Sequence, residues 1–126
     1  MVTLAHINVG TDNLSASVDF YTEVVGLTAG PRPNFASVGA WMYAGDVALV
    51  HLVEHTHIAR GPDSAPTGAI DHVALDETDL AAFKQRLGQL GVAFTEQPIP
   101  DNEGWQVFVV DPNGVKLEFN FLGEFA

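Results

Sequence analysis

AHINV, residues 5–9, and DHVAL, residues 71–75, are two β-prone segments that each carry a histidine at the second position. Each is followed by a helix-forming stretch that ends at a glycine, over residues 12–26 and 77–91. The histidines are 66 residues apart and the glycines 65, so the sequence predicts one structural module written twice. A duplicated module brings equivalent side chains to a common centre, where two histidines joined by a carboxylate would form a metal site.

Length and composition limit the class of protein. A chain of 126 residues is one ordinary domain, and 47% hydrophobic residues suffice for a core. The net charge of −11 repels phosphate backbones and anionic lipids, so neither nucleic acid nor membrane is an expected partner. No apolar run has the roughly 18 residues of a membrane span and no secretory leader follows Met1, so we expect a cytoplasmic protein. Because cysteine is absent, a metal would need nitrogen and oxygen ligands.

Hydrophobic periodicity predicts the same order of elements in both halves. The first half contains a strand over 2–9, a helix capped by Asp12 or Ser15 and ending at Gly26, a loop over 30–34, and strands over 35–43 and 47–53. The second half contains a strand over 70–75, a helix over 79–90, a strand over 92–95, a loop over 98–104, and hairpin strands over 105–110 and 115–121. We read the first half as a strand, a helix and then about three strands, so both halves follow the order βαβββ.

The predicted fold class is therefore α+β, with two tandem βαβββ modules that form curved mixed sheets around a metal-binding cleft and carry their helices on the outside. We expect a single domain over 1–126, in which module 1 spans 1–54, a connecting loop spans 55–68, and module 2 spans 69–126.

Strand parity indicates where the polar side chains point. In the last strand, Leu117 and Phe119 share one face, whereas Glu118 and Asn120 share the other. If each apolar face is covered by its helix, the opposite faces of the two sheets can enclose a cleft. The side chains predicted to line that cleft are His6, His51, His72 and Glu118.

Three motifs resemble the vicinal oxygen chelate superfamily: AHI at 5–7, IDHVA at 70–74 and VDPNGVKLE at 110–118. This superfamily includes glyoxalase I, extradiol dioxygenases, methylmalonyl-coenzyme A epimerase, and the fosfomycin and bleomycin resistance proteins. The resemblance covers essentially the whole chain, these three motifs are its most specific parts, and the run over 110–118 is a strong family signal.

The resemblance implies that His6, His72 and Glu118 bind a divalent ion such as Fe, Ni, Zn, Mn or Co. Many members take a fourth ligand from the strand that matches residues 47–53, where this chain has His51. Glyoxalase I usually has glutamate there and the epimerase glutamine. Members of this size are commonly homodimers, in which His6 of one chain would join His72 and Glu118 of the other.

Several residues have two possible roles. His51 is either a fourth ligand or a residue that exchanges protons with the substrate. Glu118, once displaced from the ion, is the other candidate base, and Tyr43 is a possible acid. His55 and His57 are expected to be solvated loop residues, and Asp71 to serve a turn or cap.

The favoured function is a divalent-metal enzyme that acts on a small substrate with vicinal oxygens, either as a glyoxalase-like lyase or isomerase or as an extradiol-type dioxygenase. The alternatives are a metal-free protein that binds a drug or metabolite, as bleomycin resistance proteins do, and a non-catalytic partner domain. A small, weakly charged substrate is expected, because the chain has only five cationic side chains: Arg32, Arg60, Lys84, Arg86 and Lys116.

Overall fold

A computed structural model describes residues 1, 4–55, 70 and 72–126. The chain divides into two compact units, Met1–Arg60 and Gly61–Ala126. Each unit contains one βαβββ module with a four-stranded mixed sheet, which confirms the predicted fold class. Of the predicted connecting loop only His55 is described, so His57 and Arg60 lie outside the described residues, as does Asp71. No helix in the described ranges is both long and apolar enough to cross a membrane.

Unit 1 has a sheet in the order β1-β4-β3-β2. Its elements are β1 Ile7–Thr11, α1 Leu14–Glu23, β2 Thr28–Gly30, β3 Gly39–Ala44 and β4 Val47–Glu54. β1 pairs with β4 in parallel, whereas the β4–β3 and β3–β2 pairs are antiparallel. The parallel pair requires a long connection between its strands, and this connection includes α1.

The helix α1 packs against β2, β3 and β4 and closes the core of unit 1. Its N-cap is Asn13, whose side chain accepts a hydrogen bond from the Ala16 amide at 3.1 Å, so the predicted caps Asp12 and Ser15 are wrong by one or two residues. The fully buried side chains that fill this core include Tyr21, Met42, Val50 and Leu52.

Unit 2 repeats the sheet order as β5-β8-β7-β6. Its elements are β5 Val73–Asp76, α2 Leu80–Leu90, β6 Thr95–Ile99, a 3₁₀ turn Pro100–Asn102, β7 Gly104–Val110 and β8 Lys116–Leu122. Leu117, Phe119 and Phe121 are buried, as their parity predicted. Phe83 of α2 lies over this apolar face, with its ring centroid 4.6 Å from that of Phe119. The opposite face therefore carries the polar residues of β8.

Several predicted strand boundaries differ from the structure, and β1 and β5 begin at Ile7 and Val73 rather than at residues 2 and 70. The third strand of unit 1 begins at Gly39 and not at residue 35, because the preceding segment is held by Arg32, which donates to the Ser37 carbonyl and hydroxyl at 3.0 Å each. No strand was predicted over residues 28–30, where the structure has the short strand β2. β6 spans Thr95–Ile99 rather than residues 92–95, and it includes Pro98, which an edge strand tolerates since no further strand needs its missing N–H.

The start of α2 is held by a carboxylate from the last residues of the chain. Asp79 caps the helix in a left-handed conformation, with φ 64°, and its side chain accepts from the Ala82 amide. Glu124 accepts from the Asp79 amide at 3.0 Å and from the Leu80 amide at 2.8 Å. One carboxylate thus satisfies two of the free amides at a helix start, where negative charge is also favoured by the helix dipole.

Glu124→Ala is expected to lower the free energy of unfolding by about 0.5 to 2 kcal/mol, the range measured for the loss of a helix cap. Urea denaturation of wild type and variant measures the change. Glu23→Ala is the matched control, because Glu23 is exposed at the end of α1, and it should change stability by less than about 0.5 kcal/mol. Equal effects of the two substitutions would contradict the capping role.

Candidate functional site

The four candidate ligands occupy matching backbone positions in the two modules. His6 immediately precedes β1, and His72 immediately precedes β5. The second residue of β1, Asn8, pairs with His51, and the second residue of β5, Ala74, pairs with Glu118. His51 therefore occupies in unit 1 the register position that Glu118 occupies in unit 2.

In unit 2, the structure brings His72 and Glu118 together. Nε2 of His72 lies 3.5 Å from Oε1 of Glu118, and the Glu118 side chain is only 13% exposed. Two ligand atoms at about 2.1 Å from a tetrahedral ion are about 3.4 Å apart. The pair has the donor atoms and the spacing that a divalent ion of intermediate hardness requires.

A row of amide side chains extends from Glu118 across the sheet of unit 2. Asn120 Nδ2 donates to Oε2 of Glu118 at 3.2 Å, and Gln106 Nε2 donates to Asn120 Oδ1 at 3.1 Å. Gln97 Nε2 donates to Gln106 Oε1 at 2.9 Å. Strand parity predicted that Asn120 lies on the face of Glu118, but it did not predict the two glutamines, whose proximity depends on strand register.

In unit 1, His51 lies between two rings. Its ring centroid is 3.8 Å from that of His6, with 9° between the planes, and 3.9 Å from that of Trp41, with 14° between the planes. His51 is buried, whereas His6 is exposed. The stacking of Trp41 on His51 was not predicted from the sequence.

The tautomer of His51 follows from its hydrogen bond. Nε2 lies 3.1 Å from the Ala48 carbonyl oxygen, which can only accept, so Nε2 carries the hydrogen and the lone pair is on Nδ1. Burial lowers the pKa of His51 below its usual 6.5, and the neighbouring His6 lowers it further. The folded protein therefore favours the neutral imidazole at this position.

The stacked arrangement limits how unit 1 can bind an ion. An imidazole nitrogen donates its lone pair in the plane of the ring. The rings of His6 and His51 are stacked face to face in nearly parallel planes, so their lone pairs do not converge on one point. Both rings can ligate the same ion only if one of them turns, and the exposed His6 is less constrained than His51, which is held by Trp41 and Ala48.

The lowered pKa of His51 predicts a pH dependence of stability. The unfolded chain binds the His51 proton more tightly than the folded chain, so the stabilisation is complete above about pH 6.5 and is lost as the pH falls through the lower folded pKa. Urea denaturation at pH 7.5 and 5.0 should show a larger loss of stability for wild type than for His51→Phe, which retains a planar ring without a titrating group. An equal loss in both proteins would contradict this assignment.

Two further residues of unit 1 have defined contacts. The Tyr43 hydroxyl donates to the carbonyl of Pro31, and a Cβ at Gly30 would come within 2.8 Å of the Tyr43 ring. The Arg32 guanidinium lies 5.1 Å from the Phe35 ring centroid and is close enough to His51 to oppose its protonation. Arg32 is thus a positive charge beside the imidazole stack, whereas the Tyr43 hydroxyl is engaged with the loop that precedes β3.

The predicted ligands form two pairs in the structure, His6 with His51 and His72 with Glu118. Among residues 1, 4–55, 70 and 72–126, no three histidine, aspartate or glutamate side chains are grouped so that they could hold a metal ion. The assignment of all four residues to one site stays a prediction.

Comparison with known proteins identifies relatives over nearly the whole chain. The chain is 30% identical over 120 residues to the glutathione transferase FosA of Serratia marcescens, covering 94% of this chain and 79% of the relative. It is 31% identical over 121 residues to the lactoylglutathione lyase of Escherichia coli O157:H7, covering 91% of this chain and 89% of the relative. Both relatives have the names of enzymes.

Solved structures share the fold. A glyoxylase/bleomycin resistance protein/dioxygenase domain from Frankia sp. EAN1pec aligns with a TM-score of 0.78 and 20% identity, covering 97% of this chain and 98% of the other. A variant of the fosfomycin resistance protein FosX from Listeria monocytogenes, complexed with Mn(II) and 1S,2S-dihydroxypropylphosphonic acid, aligns with a TM-score of 0.75 and 16% identity, covering 96% and 92%.

The sequence pattern that defines the Glyoxalase/Bleomycin resistance protein/Dioxygenase superfamily matches residues 3–119 of this chain. The match covers all of the first βαβββ module, the second module as far as Phe119 in β8, and all four candidate ligands. The chain belongs to this superfamily, as the motifs around His6, His72 and Glu118 predicted.

Proposed function

We propose that this chain is a divalent-metal enzyme that acts on a small substrate with two adjacent oxygens. The observation that carries the proposal is the matching of His6 with His72 and of His51 with Glu118 in the two modules. The 3.5 Å separation of the His72 and Glu118 donor atoms adds to it. An ion-binding relative, FosX with Mn(II), has the same fold.

In this proposal His6, His72 and Glu118 hold the ion, which is Fe, Ni, Zn, Mn or Co. His6 reaches it by turning away from His51, a rotamer change that an exposed side chain makes at small cost. His51 stays between Trp41 and the Ala48 carbonyl and does not ligate. A bound divalent ion supplies Lewis-acid stabilisation of a substrate oxyanion.

The proposal includes a homodimer in which each site takes His6 from one chain and His72 with Glu118 from the other. The resemblance to the superfamily implies this arrangement, and the proposal also includes a cytoplasmic location. In unit 2, the carboxylate that would complete the site is the Glu118 side chain, held against the amide row.

His51 has the role of proton acceptor in this proposal. Its Nε2 hydrogen is committed to Ala48, so the Nδ1 lone pair is the one available to take a proton from carbon next to a substrate carbonyl. Arg32, beside His51, favours an anionic group on the substrate near the same place. Tyr43 would have to leave the Pro31 carbonyl before it could act as an acid, so we assign it to the wall of the site.

We place redox-neutral chemistry ahead of ring cleavage by dioxygen, because the lyase and transferase relatives have names of redox-neutral enzymes. Both names include glutathione, an anionic thiol. This chain has only 5 lysine and arginine residues against 16 aspartate and glutamate residues, so it favours a smaller and less anionic substrate.

Metal uptake and turnover test the proposal. Chelator-treated protein is offered Mn, Fe, Co, Ni and Zn, and we expect one ion per chain at micromolar concentration. The loaded protein is then assayed with α-carbonyl substrates, and with catechols and Fe(II) in an oxygen electrode. Uptake of none of these ions would end the enzyme proposal in favour of a metal-free binding protein, and oxygen consumption with catechols would replace the isomerase assignment by a dioxygenase.

A further inference from the structure

The amide row of unit 2 connects three strands to one carboxylate. Gln97 lies on β6, Gln106 on β7, and Asn120 with Glu118 on β8. Strand pairing aligns them, since Gln97 pairs with Gln106 and Gln106 pairs with Asn120. Hydrogen bonds of 2.9, 3.1 and 3.2 Å then join Gln97, Gln106, Asn120 and Glu118 in that order.

The carboxylate fixes the direction of the whole row. An ionised carboxylate only accepts hydrogen bonds, so Asn120 presents its Nδ2 to Glu118 and turns its oxygen toward Gln106. Gln106 must then present its amide nitrogen to Asn120 and its oxygen to Gln97. Three amide dipoles therefore have their positive ends toward Glu118, and each hydrogen bond polarises the next.

The two oxygens of Glu118 have different surroundings. Oε2 accepts from Asn120, whereas Oε1 is the atom that lies 3.5 Å from His72 Nε2. With one oxygen held, rotation of the carboxyl group is restricted and the other oxygen stays directed at the imidazole. Because the Glu118 side chain is only 13% exposed, water competes little for either oxygen.

We propose that Asn120, backed by Gln106 and Gln97, is a positioning residue that fixes Glu118 as a metal ligand through Oε1. This inference rests on the proposed function, in which Glu118 holds the ion. Partners that orient a ligand contribute roughly 10- to 100-fold to metal affinity in known sites. In this proposal, Asn120, Gln106 and Gln97 have a role although they would not contact the ion and do not belong to the hydrophobic core.

The inference is tested by measuring the metal affinity of variants at increasing distance from Glu118. Asn120→Leu removes the donor to Glu118 and keeps the size of the side chain, and we expect it to weaken Co²⁺ binding by about 10- to 100-fold in chelator competition. Gln106→Met breaks the row one step further away and should weaken binding less. Gln89→Met is the matched control, because Gln89 is exposed on α2, and it should bind as wild type does.

The absorption spectrum of bound Co²⁺ supplies a second measurement, which a merely structural role would not change. We expect altered visible bands for Asn120→Leu and unaltered bands for Gln89→Met, with thermal unfolding of each checked first. If Asn120→Leu does not fold, Gln106→Met decides by the same two measurements.

The possible results separate the inference from the proposed function. If wild type binds Co²⁺ and the Asn120 and Gln106 variants bind it equally well with the same spectrum, the positioning role is wrong while the metal site stands. If wild type binds no ion, both the proposed function and this inference are wrong.

Discussion

His72→Ala is expected to abolish divalent-ion uptake at micromolar concentration and to remove metal-dependent turnover. The substitution deletes one of three proposed protein ligands, so the loss of affinity should exceed the roughly 100-fold that follows from losing an orienting partner. His72 is exposed and immediately precedes β5, so its removal leaves no core cavity and the unfolding midpoint should stay close to that of wild type.

His55→Ala is the matched control for this prediction. His55 is also exposed, it follows β4 directly, and its described hydrogen bond uses the backbone amide, which donates to the Thr11 carbonyl. Isothermal titration with Zn²⁺ and Co²⁺ measures both variants. If His72→Ala retained wild-type ion affinity, His72 would not be a ligand. The duplication of the module would then no longer support a metal centre.

Mixing two inactive variants is expected to restore activity if each site draws ligands from two chains. In a mixed dimer of His6→Ala and His72→Ala, one site lacks both histidines, whereas the other receives His6 from the second chain and His72 with Glu118 from the first. The mixed dimer should therefore have one intact site, and its metal content and turnover should approach half of those of wild type.

The control for this experiment combines His72→Ala with Glu118→Gln. Both substitutions fall in unit 2, so every site in that mixed dimer lacks one ligand and no activity should return. Two affinity tags allow the mixed dimers to be isolated before assay. Failure of His6→Ala and His72→Ala to complement, in a mixed dimer that is folded and stable, would show that sites are not shared between chains.

The repeated architecture could be predicted from sequence because its signals are local. Alternation along residues 115–121 fixes which side chains of β8 are buried, and this follows from strand geometry alone. The boundaries that failed depend on more distant partners. The three residues of β2 are all exposed and offer no alternation, and the loop before β3 is shaped by the Arg32 side chain, which donates to Ser37.

The candidate site shows the same division between local and distant information. His6, His72 and Glu118 stand in recognisable motifs, so sequence alone could nominate them. The stacking of Trp41 on His51 and the amide row to Glu118 could not be predicted, because they depend on the register between strands that are distant in sequence. A one-residue shift of β7 against β8 would place Gln106 on the apolar face.

His51 and Glu118 occupy the same register position in the two modules, but their side chains differ in charge. One half of the protein offers a neutral nitrogen, and the other offers an anionic oxygen, from the same point of an equivalent backbone. In the proposed site, the same register position therefore carries a metal ligand in unit 2 and a proton acceptor in unit 1. In such a duplicated scaffold, the roles of equivalent positions can diverge through point substitutions, without any insertion or change of topology.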